Sequence, residues 1–183
     1  MNDSEIVSLF LSRDSEAINH AEKKYGGICF TIAGNILNDK RDAQEVKNDT
    51  FLALWNSIPP NKPQKLSAFV SRIARNLSLK RLRDNNAGKR GGGEFDLAID
   101  ELSEMIPDGF DVEGRVEADE LKGLINHFVA SLDEDEQKMF VLRYFYFFSV
   151  DDTAKRTGYS KSKIKSSLFR IRKRLKEKLE REG

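Results

Sequence analysis

The sequence contains a single cysteine, Cys29, and it has no long apolar run. One thiol can form neither an internal disulfide framework nor the thiolate cluster of a structural zinc site. No stretch is long and apolar enough to span a membrane, and the acidic start of the chain lacks the basic region of a signal peptide. We therefore expect a cytoplasmic protein in which Cys29 is a small buried side chain.

Histidine is almost as scarce, because His20 and His127 are the only two in the chain. Neither stands at a metal-ligand spacing, so ordinary surface or core positions are expected for both. The sequence also has no Walker loop, no nucleophile elbow and no clustered motif of His, Asp and Glu. We therefore predict no catalytic residue, no metal site, no cofactor and no small-molecule substrate.

Strand patterns are nearly absent too, and helical periodicity predicts an all-α fold. Three of the four prolines lie between residues 58 and 65, so this stretch is predicted to be a loop. In the first half, helices are predicted at Asp3–Ser12, Glu16–Leu37, Lys40–Ser57 and Leu66–Asp84. We expect two small helical domains, residues 1–86 and 117–183, joined by a flexible acidic linker over residues 87–116 that stays extended.

The charges nearly cancel, to a net +1, but they are strongly segregated along the chain. Residues 94–120 carry eleven Asp and Glu against one Arg, whereas residues 160–183 carry ten Lys and Arg against three Glu. Residues 72–90 carry seven Lys and Arg against one Asp. A solvated surface usually mixes its signs, so the two basic segments indicate phosphate binding.

The C-terminal part has the pattern of a helix-turn-helix. A short helix is predicted over Val150–Thr157, Gly158 suits a sharp turn, and Ser149 and Ser160 stand where N-caps are favoured. The next helix has an apolar stripe at a spacing of i, i+4, i+7 and i+11, formed by Ile164, Leu168, Ile171 and Leu175. This arrangement is typical of a DNA-binding unit whose second helix enters the major groove.

The side of this helix opposite the stripe holds the candidate DNA contacts. At about 100° per residue, that side carries Ser162, Ser166, Phe169, Arg170 and Lys173, with Lys165 beside it. We assign base-edge contact to Ser166 and Arg170, because a guanidinium can hold guanine through two hydrogen bonds. Phosphate contact is assigned to Lys161, Lys163, Lys165 and Lys173. For Phe169, contact with a thymine methyl group and packing within the protein both stay open, with packing favoured.

The predicted helix over Asp42–Trp55 has two unlike sides. One side is largely apolar and carries Ala43, Val46, Thr50, Phe51 and Leu54. The other mixes acidic, amide and large apolar groups, namely Glu45, Asn48, Asp49, Leu52 and Trp55. Such a mixture is typical of a protein-docking surface. Leu52 and Trp55 can equally complete the local core, and periodicity does not decide between the two interpretations.

The following helix is basic on its outward positions. These positions carry Arg72, Arg75, Asn76, Lys80, Arg81 and Arg83, whereas Val70, Ile73, Ala74, Leu77 and Leu82 are expected to face inward. The near absence of carboxylates here indicates phosphate contact, and Asn76 is suited to read a base edge.

Together these segments resemble a bacterial sigma factor of the extracytoplasmic-function (ECF) group. Asp42–Trp55 is similar to the family's core-polymerase-binding helix in region 2, and Arg72–Leu77 is similar to the stretch after its promoter-melting segment. Leu142–Phe145 and the helix-turn-helix resemble region 4. The motifs occur in the family's order and cover most of the chain outside the acidic linker.

The resemblance implies a protein that binds core RNA polymerase and directs it to promoter DNA. The polymerase would be bound by Glu45, Asn48, Asp49, Leu52 and Trp55. The first domain would melt the downstream promoter element and capture a flipped base in the loop Asn61–Ser67. The residues assigned to this element are Asn61, Lys62, Lys65, Ser67, Phe69, Arg72, Arg75, Asn76 and Lys80. The upstream element would be read as duplex by Lys161, Ser162, Lys163, Lys165, Ser166, Phe169, Arg170 and Lys173. Such factors are commonly held inactive by an anti-sigma factor, which is a further expected partner.

A few positions depart from the family's pattern. A tryptophan is usual where Phe69 stands, a leucine or isoleucine at Thr153, and a leucine at Thr157. Tyr146–Phe148 replaces a segment that is usually smaller and more polar. Because the five aromatic residues Tyr144–Phe148 cannot all face one core, some of them are expected to meet a partner.

A dimeric helix-turn-helix repressor that acts without polymerase is the alternative function. It would account for the C-terminal helices, but it gives no role to the mixed surface of Asp42–Trp55 or to the first basic segment. Transcription from specific promoters only in the presence of core polymerase would separate the two.

Overall fold

The computed structural model describes residues 1–85, 93–105 and 115–182, without the side chains of residues 115–119 and 182. Within these ranges every regular element is a helix, as the predicted all-α fold requires. The chain divides into two compact units, Met1–Gly93 and Glu94–Gly183.

In the described part of the first unit the helices are α1 (Asp3–Leu11), α2 (Glu16–Leu37), α3 (Lys40–Ser57) and α4 (Leu66–Asn85). Local sequence sets their ends. Asn2 and Glu5 exchange hydrogen bonds in a capping box that begins α1. Asp39 begins α3 by accepting the amide of Asp42 at 2.8 Å. The left-handed residue Asn38, with a φ of 52°, ends α2.

The core of the first unit forms where α2 packs against α1, α3 and α4. Its almost fully buried side chains include Phe10, Leu54, Ile58, Leu66 and Val70. The predicted inner side of α3 is confirmed, because Ala43, Val46, Thr50, Phe51 and Leu54 are all buried. Cys29 is buried as predicted, and this burial raises the pKa of its thiol to about 12. The thiol therefore stays protonated and unreactive at neutral pH.

In the described part of the second unit the α-helices are α5 (Glu94–Ser103), α6 (Arg115–Ser131), α7 (Glu134–Phe140), α8 (Val150–Thr157) and α9 (Lys161–Glu182). Asp133 begins α7 by accepting the amide of Glu136 at 2.8 Å. A π-helical turn over Val141–Phe145 continues α7. Phe147, with a left-handed φ of 56°, then redirects the chain toward α8.

Both helices of the predicted helix-turn-helix are present. Ser149 begins α8 by accepting the amide of Asp152 at 3.0 Å, and Gly158 ends it with a φ of 78°. Ser160 accepts the amide of Lys163 at 3.2 Å at the start of α9. The predicted apolar stripe is confirmed, because its four members are buried and Leu179 extends it by one turn. Burying such a side chain contributes roughly 1.5–3 kcal/mol to stability.

The acidic segment differs from the extended conformation that we expected. Glu94–Ser103 forms α5, and Glu94, Ala98 and Glu101 share one side of it at a spacing of i, i+4 and i+7. This side packs against the other helices of the second unit, and Ala98 is fully buried there. The segment has too few apolar residues for a core of its own, but it completes the core of the second unit. Residues 86–92 and 106–114 of the predicted linker lie outside the described residues.

Candidate polymerase and nucleic-acid interfaces

The two large apolar residues on the outer side of α3, Leu52 and Trp55, differ in exposure. This difference decides whether each completes the core or faces a partner. Leu52 is 60% exposed, and Asn48 and Asp49 beside it are exposed too. Trp55 is instead half-buried against the core of the first unit, with its ring centroid 6.1 Å from that of Phe10. Trp55 therefore completes the local core, whereas Leu52 remains available to a partner.

Arg13 holds Trp55 in this position. Its guanidinium carbon lies 5.0 Å from the centroid of the Trp55 ring, and its Nη1 donates to the Trp55 carbonyl at 2.9 Å. Arg13 itself has a left-handed φ of 59° just after α1. A cation over an indole face stabilises the ring without burying it completely. Helical periodicity could not predict this role of Arg13, because the contact spans 42 residues.

Glu45, a predicted polymerase contact, is bound within the first unit. Its carboxylate and that of Asp42 both accept hydrogen bonds from Nη2 of Arg81 in α4, and the bond to Asp42 is 2.7 Å long. Asn85 also donates to Asp42, at 2.8 Å. The two hydrogen bonds that Arg81 donates raise its pKa. Together with the bond from Asn85, they hold α4 against the outer edge of α3. The expectation that Arg81 projects outward is therefore wrong, because α3 offers it two carboxylates one turn apart.

An aromatic and basic stripe runs along the exposed side of α4. Phe69, Arg72, Asn76 and Lys80 recur at i, i+3, i+7 and i+11, and all but the half-buried Phe69 are exposed. The Arg72 guanidinium lies 5.3 Å from the centroid of the Phe69 ring. Arg75 departs from the predicted outward position, because it is half-buried and burial lowers its pKa. The stripe therefore presents two exposed cations beside a half-buried ring.

The loop before α4 presents further predicted residues. Asn61, Lys62, Lys65 and Ser67 are all exposed. Asn61 is held to the end of α3, because its Nδ2 donates to the Ser57 carbonyl at 2.9 Å. The Ser67 backbone donates to Asp3, whose pKa is lowered chiefly by hydrogen bonds from Lys24 and Tyr25. These bonds join the beginning of α4 to α1 and fix where the loop ends.

The eight predicted contacts on α9 are all exposed on its outer side. Several of the basic ones also contact neighbouring side chains. The Lys161 ammonium lies 2.6 Å from Asp151, and that of Lys163 lies 3.4 Å from the centroid of the Tyr159 ring. Arg170 donates to Ser167 at 3.2 Å, a contact that orients the guanidinium without covering it. The outer side of α9 therefore presents five basic side chains to solvent.

Phe169 differs from the packing that we favoured, because 62% of it is exposed. It shares a shallow groove with Lys165, Ser166 and Arg170. The aliphatic stripe already fills the core on the other side of α9, so no space there would accept a phenyl ring. The ring consequently lies among the predicted DNA contacts.

A buried charge cluster behind α9 was missed by the sequence reasoning. Arg143 is buried, and its Nη1 and Nη2 atoms lie 2.7 Å from carboxylate oxygens of Glu94 and Glu101, respectively. Its Nη1 also donates to the Phe148 carbonyl at 3.0 Å. Burial alone would lower the pKa of Arg143, but the hydrogen bonds that it donates to the two carboxylates raise it. The positions of Glu94 and Glu101, seven residues apart on one helix side, were the available signal.

Tyr144 and Arg172 extend this cluster to α9. The Tyr144 hydroxyl donates to Glu101 at 2.8 Å and accepts from Arg172 at 2.7 Å. Arg172 also reaches Glu101 directly, at 3.2 Å. Burial would raise the pKa of Glu101, but hydrogen bonds from Arg143 and Tyr144 hold it below its ordinary value. Glu101 is therefore ionised at neutral pH and binds two arginines.

The aromatic segment beside this cluster is largely a core element. Tyr144, Phe147 and Phe148 are buried, and Phe145 and Tyr146 are half-buried with ring centroids 5.4 Å apart. The left-handed turn at Phe147 lets consecutive rings face the same core, which a regular helix does not allow. Whether Phe145 or Tyr146 meets a partner stays a prediction.

No group of three or more His, Cys, Asp or Glu side chains suited to a metal ion occurs among the described residues. Among these residues, too, no helix combines the length and apolar character needed to cross a membrane.

Two family models match the chain in the order that the motifs predicted. The model of sigma-70 region 2 matches residues 23–88, and that of sigma-70 region 4 matches residues 122–175. The chain belongs to the sigma-70 family. The predicted resemblance to an ECF-group sigma factor is thereby confirmed. In this sigma factor region 2 runs from α2 through α4, and region 4 runs from α6 to α9.

Among solved structures, the chain is similar to CnrH in a structure described as CnrH in complex with the cytosolic domain of CnrY. The identity is 19%, the alignment covers 99% of each chain, and the TM-score is 0.46. No curated protein gave a significant match to the sequence.

As a sigma factor, the protein binds core RNA polymerase and directs it to promoter DNA, which confirms both predicted partners. The family comprises DNA-binding transcription factors. A repressor that acts without polymerase would leave the region 2 match, and with it the whole of α3 and α4, without a role.

Proposed function

We propose that this sigma factor uses three separate surfaces to bind core polymerase, the downstream promoter element and the upstream promoter element. The outer side of α3 binds core polymerase, the stripe on α4 with its preceding loop binds the melted downstream element, and the outer side of α9 reads the upstream element. The protein acts in the cytoplasm and catalyses no reaction of its own. The observation that carries the proposal is Leu52, a large apolar side chain that is 60% exposed between amide and acidic neighbours.

On α3, the contact centre consists of Asn48, Asp49 and Leu52. An exposed apolar group surrounded by polar ones has the composition of a protein interface, with an apolar centre and a polar rim. Trp55 and Glu45 border this centre. Since Arg13 and Arg81 already hold them, their main contribution is to fix the shape of the surface.

On α4, Phe69 and Arg72 offer a stacking plane and Lys80 a phosphate contact. An unpaired base stacks on an aromatic ring or on a guanidinium, and this stacking tolerates any base. Asn76 lies in the same line and offers both a donor and an acceptor to a base edge. Lys62 and Lys65 flank the place where the flipped base would enter.

On α9, Ser166 and Arg170 contact base edges and Phe169 lies against a thymine methyl group. The lysines at positions 161, 163, 165 and 173 bind phosphates. The family resemblance also suggests an anti-sigma factor as a partner, and the exposed Leu52 is a surface that such a protein would have to cover.

A charge reversal at Asp49 tests the polymerase surface. Asp49→Arg should abolish capture of core polymerase by the tagged sigma factor, while its far-ultraviolet circular dichroism stays that of the wild type. Asp84→Arg is the matched control, because it makes the same charge change at an exposed position near the end of α4. Wild-type capture by a folded Asp49→Arg protein would refute the assignment of this surface.

A further inference from the structure

Helix α5 has a composition that is unexpected beside a DNA-binding unit. Glu94–Ser103 contains four carboxylates and no basic residue. It lies outside both family ranges, 23–88 and 122–175, so membership of the family gives it no role. Its ion pairs with Arg143 and Arg172 and its ring contact with Phe147 lie in the second unit, which also contains α9. The helix therefore places negative charge against the part of the protein that binds a polyanion.

The surface on which α5 docks consists of Arg143, Tyr144, Phe147 and Arg172, and is called the α5 surface below. Arg143 binds both Glu94 and Glu101 at 2.7 Å. At the other edge, Phe95 meets Phe147 nearly edge-on, with ring centroids 4.8 Å apart. The contact thus combines paired charges with an aromatic pair, as a specific docking site does.

The α5 surface adjoins the DNA-contacting side of α9. Arg172 follows Lys165 by seven residues, which is two helical turns, so both lie on the same flank of α9. Glu101 binds Arg172 at 3.2 Å and also lines the groove that contains Lys165, Ser166, Phe169 and Arg170. An acidic side chain consequently borders the residues assigned to bases and phosphates.

A carboxylate and a phosphate bind a guanidinium through the same hydrogen-bonding geometry. The four carboxylates of α5 also repel DNA phosphates over about 10 Å at 0.1 M salt. We infer that α5 and the phosphate backbone of upstream promoter DNA compete for this flank of the second unit. With α5 docked, the free sigma factor binds duplex DNA weakly, and displacement of α5 exposes the flank. This inference rests on the proposed contact between α9 and DNA.

The decisive comparison uses two double variants that remove equal charge from α5. Glu94→Gln with Glu101→Gln neutralises the side that binds arginine, whereas Asp96→Asn with Asp100→Asn neutralises the opposite side. The probe is a short fluorescent duplex DNA of mixed sequence at low salt, because phosphate contact does not require a specific sequence. The full chain with the two Glu changes should bind it roughly tenfold more tightly than the wild type. Equal gains in duplex affinity for both variants, or no gain for the variant with the two Glu changes, would refute the proposed competition.

A second measurement needs no variant and so does not depend on how the changes affect folding. Hydrogen exchange of the wild-type chain should show faster exchange of the α5 amides when the duplex is saturating. Unchanged protection of α5 in the complex would contradict the inference.

The contact between α9 and DNA is tested separately by Lys165→Ala with Lys173→Ala, which should weaken duplex binding. Undiminished binding would refute the role of α9 itself. Loss of binding by this variant, combined with no response of α5 in the other two experiments, would refute only the competition.

Discussion

Each unit contains an arginine that binds two carboxylates, but the two environments are opposite. The Arg81 side chain is 34% exposed and joins α4 to Asp42 and Glu45 of α3. The Arg143 side chain is 3% exposed and binds Glu94 and Glu101 of α5. At the surface, water can replace a lost partner, whereas a buried charge without its partner is strongly destabilising. Arg81 therefore reinforces helices that already share a core, but Arg143 determines where α5 docks.

Arg143→Ala should cause the largest change, a loss of about 3–5 kcal/mol in the free energy of unfolding of the second unit. The reason is that Glu94, Glu101 and the Phe148 carbonyl lose their common donor, and α5 loses its anchor. Urea unfolding followed by circular dichroism measures this loss. Trp55 is the only tryptophan of the chain and reports the first unit, so its fluorescence transition should stay unchanged. Equal shifts of both transitions would show that the units do not respond separately.

Acid should weaken the second unit through Glu101. A carboxyl whose pKa is lower in the folded protein contributes stability above its ordinary pKa, 4.5 for Glu101, and this contribution is lost as the pH falls through the lowered folded value. The circular dichroism transition should therefore move to lower urea concentration as the pH falls below about 4.5. Glu101→Gln should flatten this dependence. A variant as acid-sensitive as the wild type would assign the effect to other carboxyls.

Thr153→Val should stabilise the second unit, by about 1 kcal/mol in the free energy of unfolding. Thr153 is fully buried, and its hydroxyl has no hydrogen-bond partner among the described residues. Valine keeps the shape of threonine but removes the unsatisfied hydroxyl. Arg143, by contrast, is a buried polar group whose three guanidinium nitrogens all donate hydrogen bonds. The expected sign is a higher urea midpoint of the circular dichroism transition. A lower midpoint would mean that the hydroxyl is bonded in solution.

Arg81→Ala should cause the smallest change, with the Trp55 fluorescence transition close to that of the wild type. Water can solvate Asp42 and Glu45 once the guanidinium is gone, and the apolar contacts between α3 and α4 remain. Arg81→Lys is the control for the charge alone. A shift as large as that of Arg143→Ala would show that exposure does not separate the two arginines.

The parts of the structure that the sequence predicted depend on neighbours close in the chain. The stripe from Ile164 to Leu175 repeats every turn, and the Ser149 cap bonds an amide three residues away. A helical period and a cap are local properties, so they can be read from one sequence. The same argument explains why the outward side of α9 was predicted residue by residue.

The parts that were missed depend on partners far along the chain. Glu101 bonds Arg143 and Arg172, which are 42 and 71 residues away, and Arg13 bonds the Trp55 carbonyl across 42 residues. Without these partners the segment containing α5 has too little apolar surface to predict a docked helix. Phe169 was misjudged for a related reason, because the space beneath α9 was already filled by other side chains.

The long separation of Glu101 from its partners also sets an order of events during synthesis of the chain. Glu101 is made 71 residues before Arg172, which corresponds to about 4–14 s at ribosomal speed. Asp42 and Glu45 are synthesised before Arg81, so the first unit can fold as soon as α4 leaves the ribosome. A ten-residue helix such as α5 is only marginally stable in isolation, so its carboxylates stay solvated during this interval. The growing chain thus completes the exposed side of α3 before the second unit can close around Arg143.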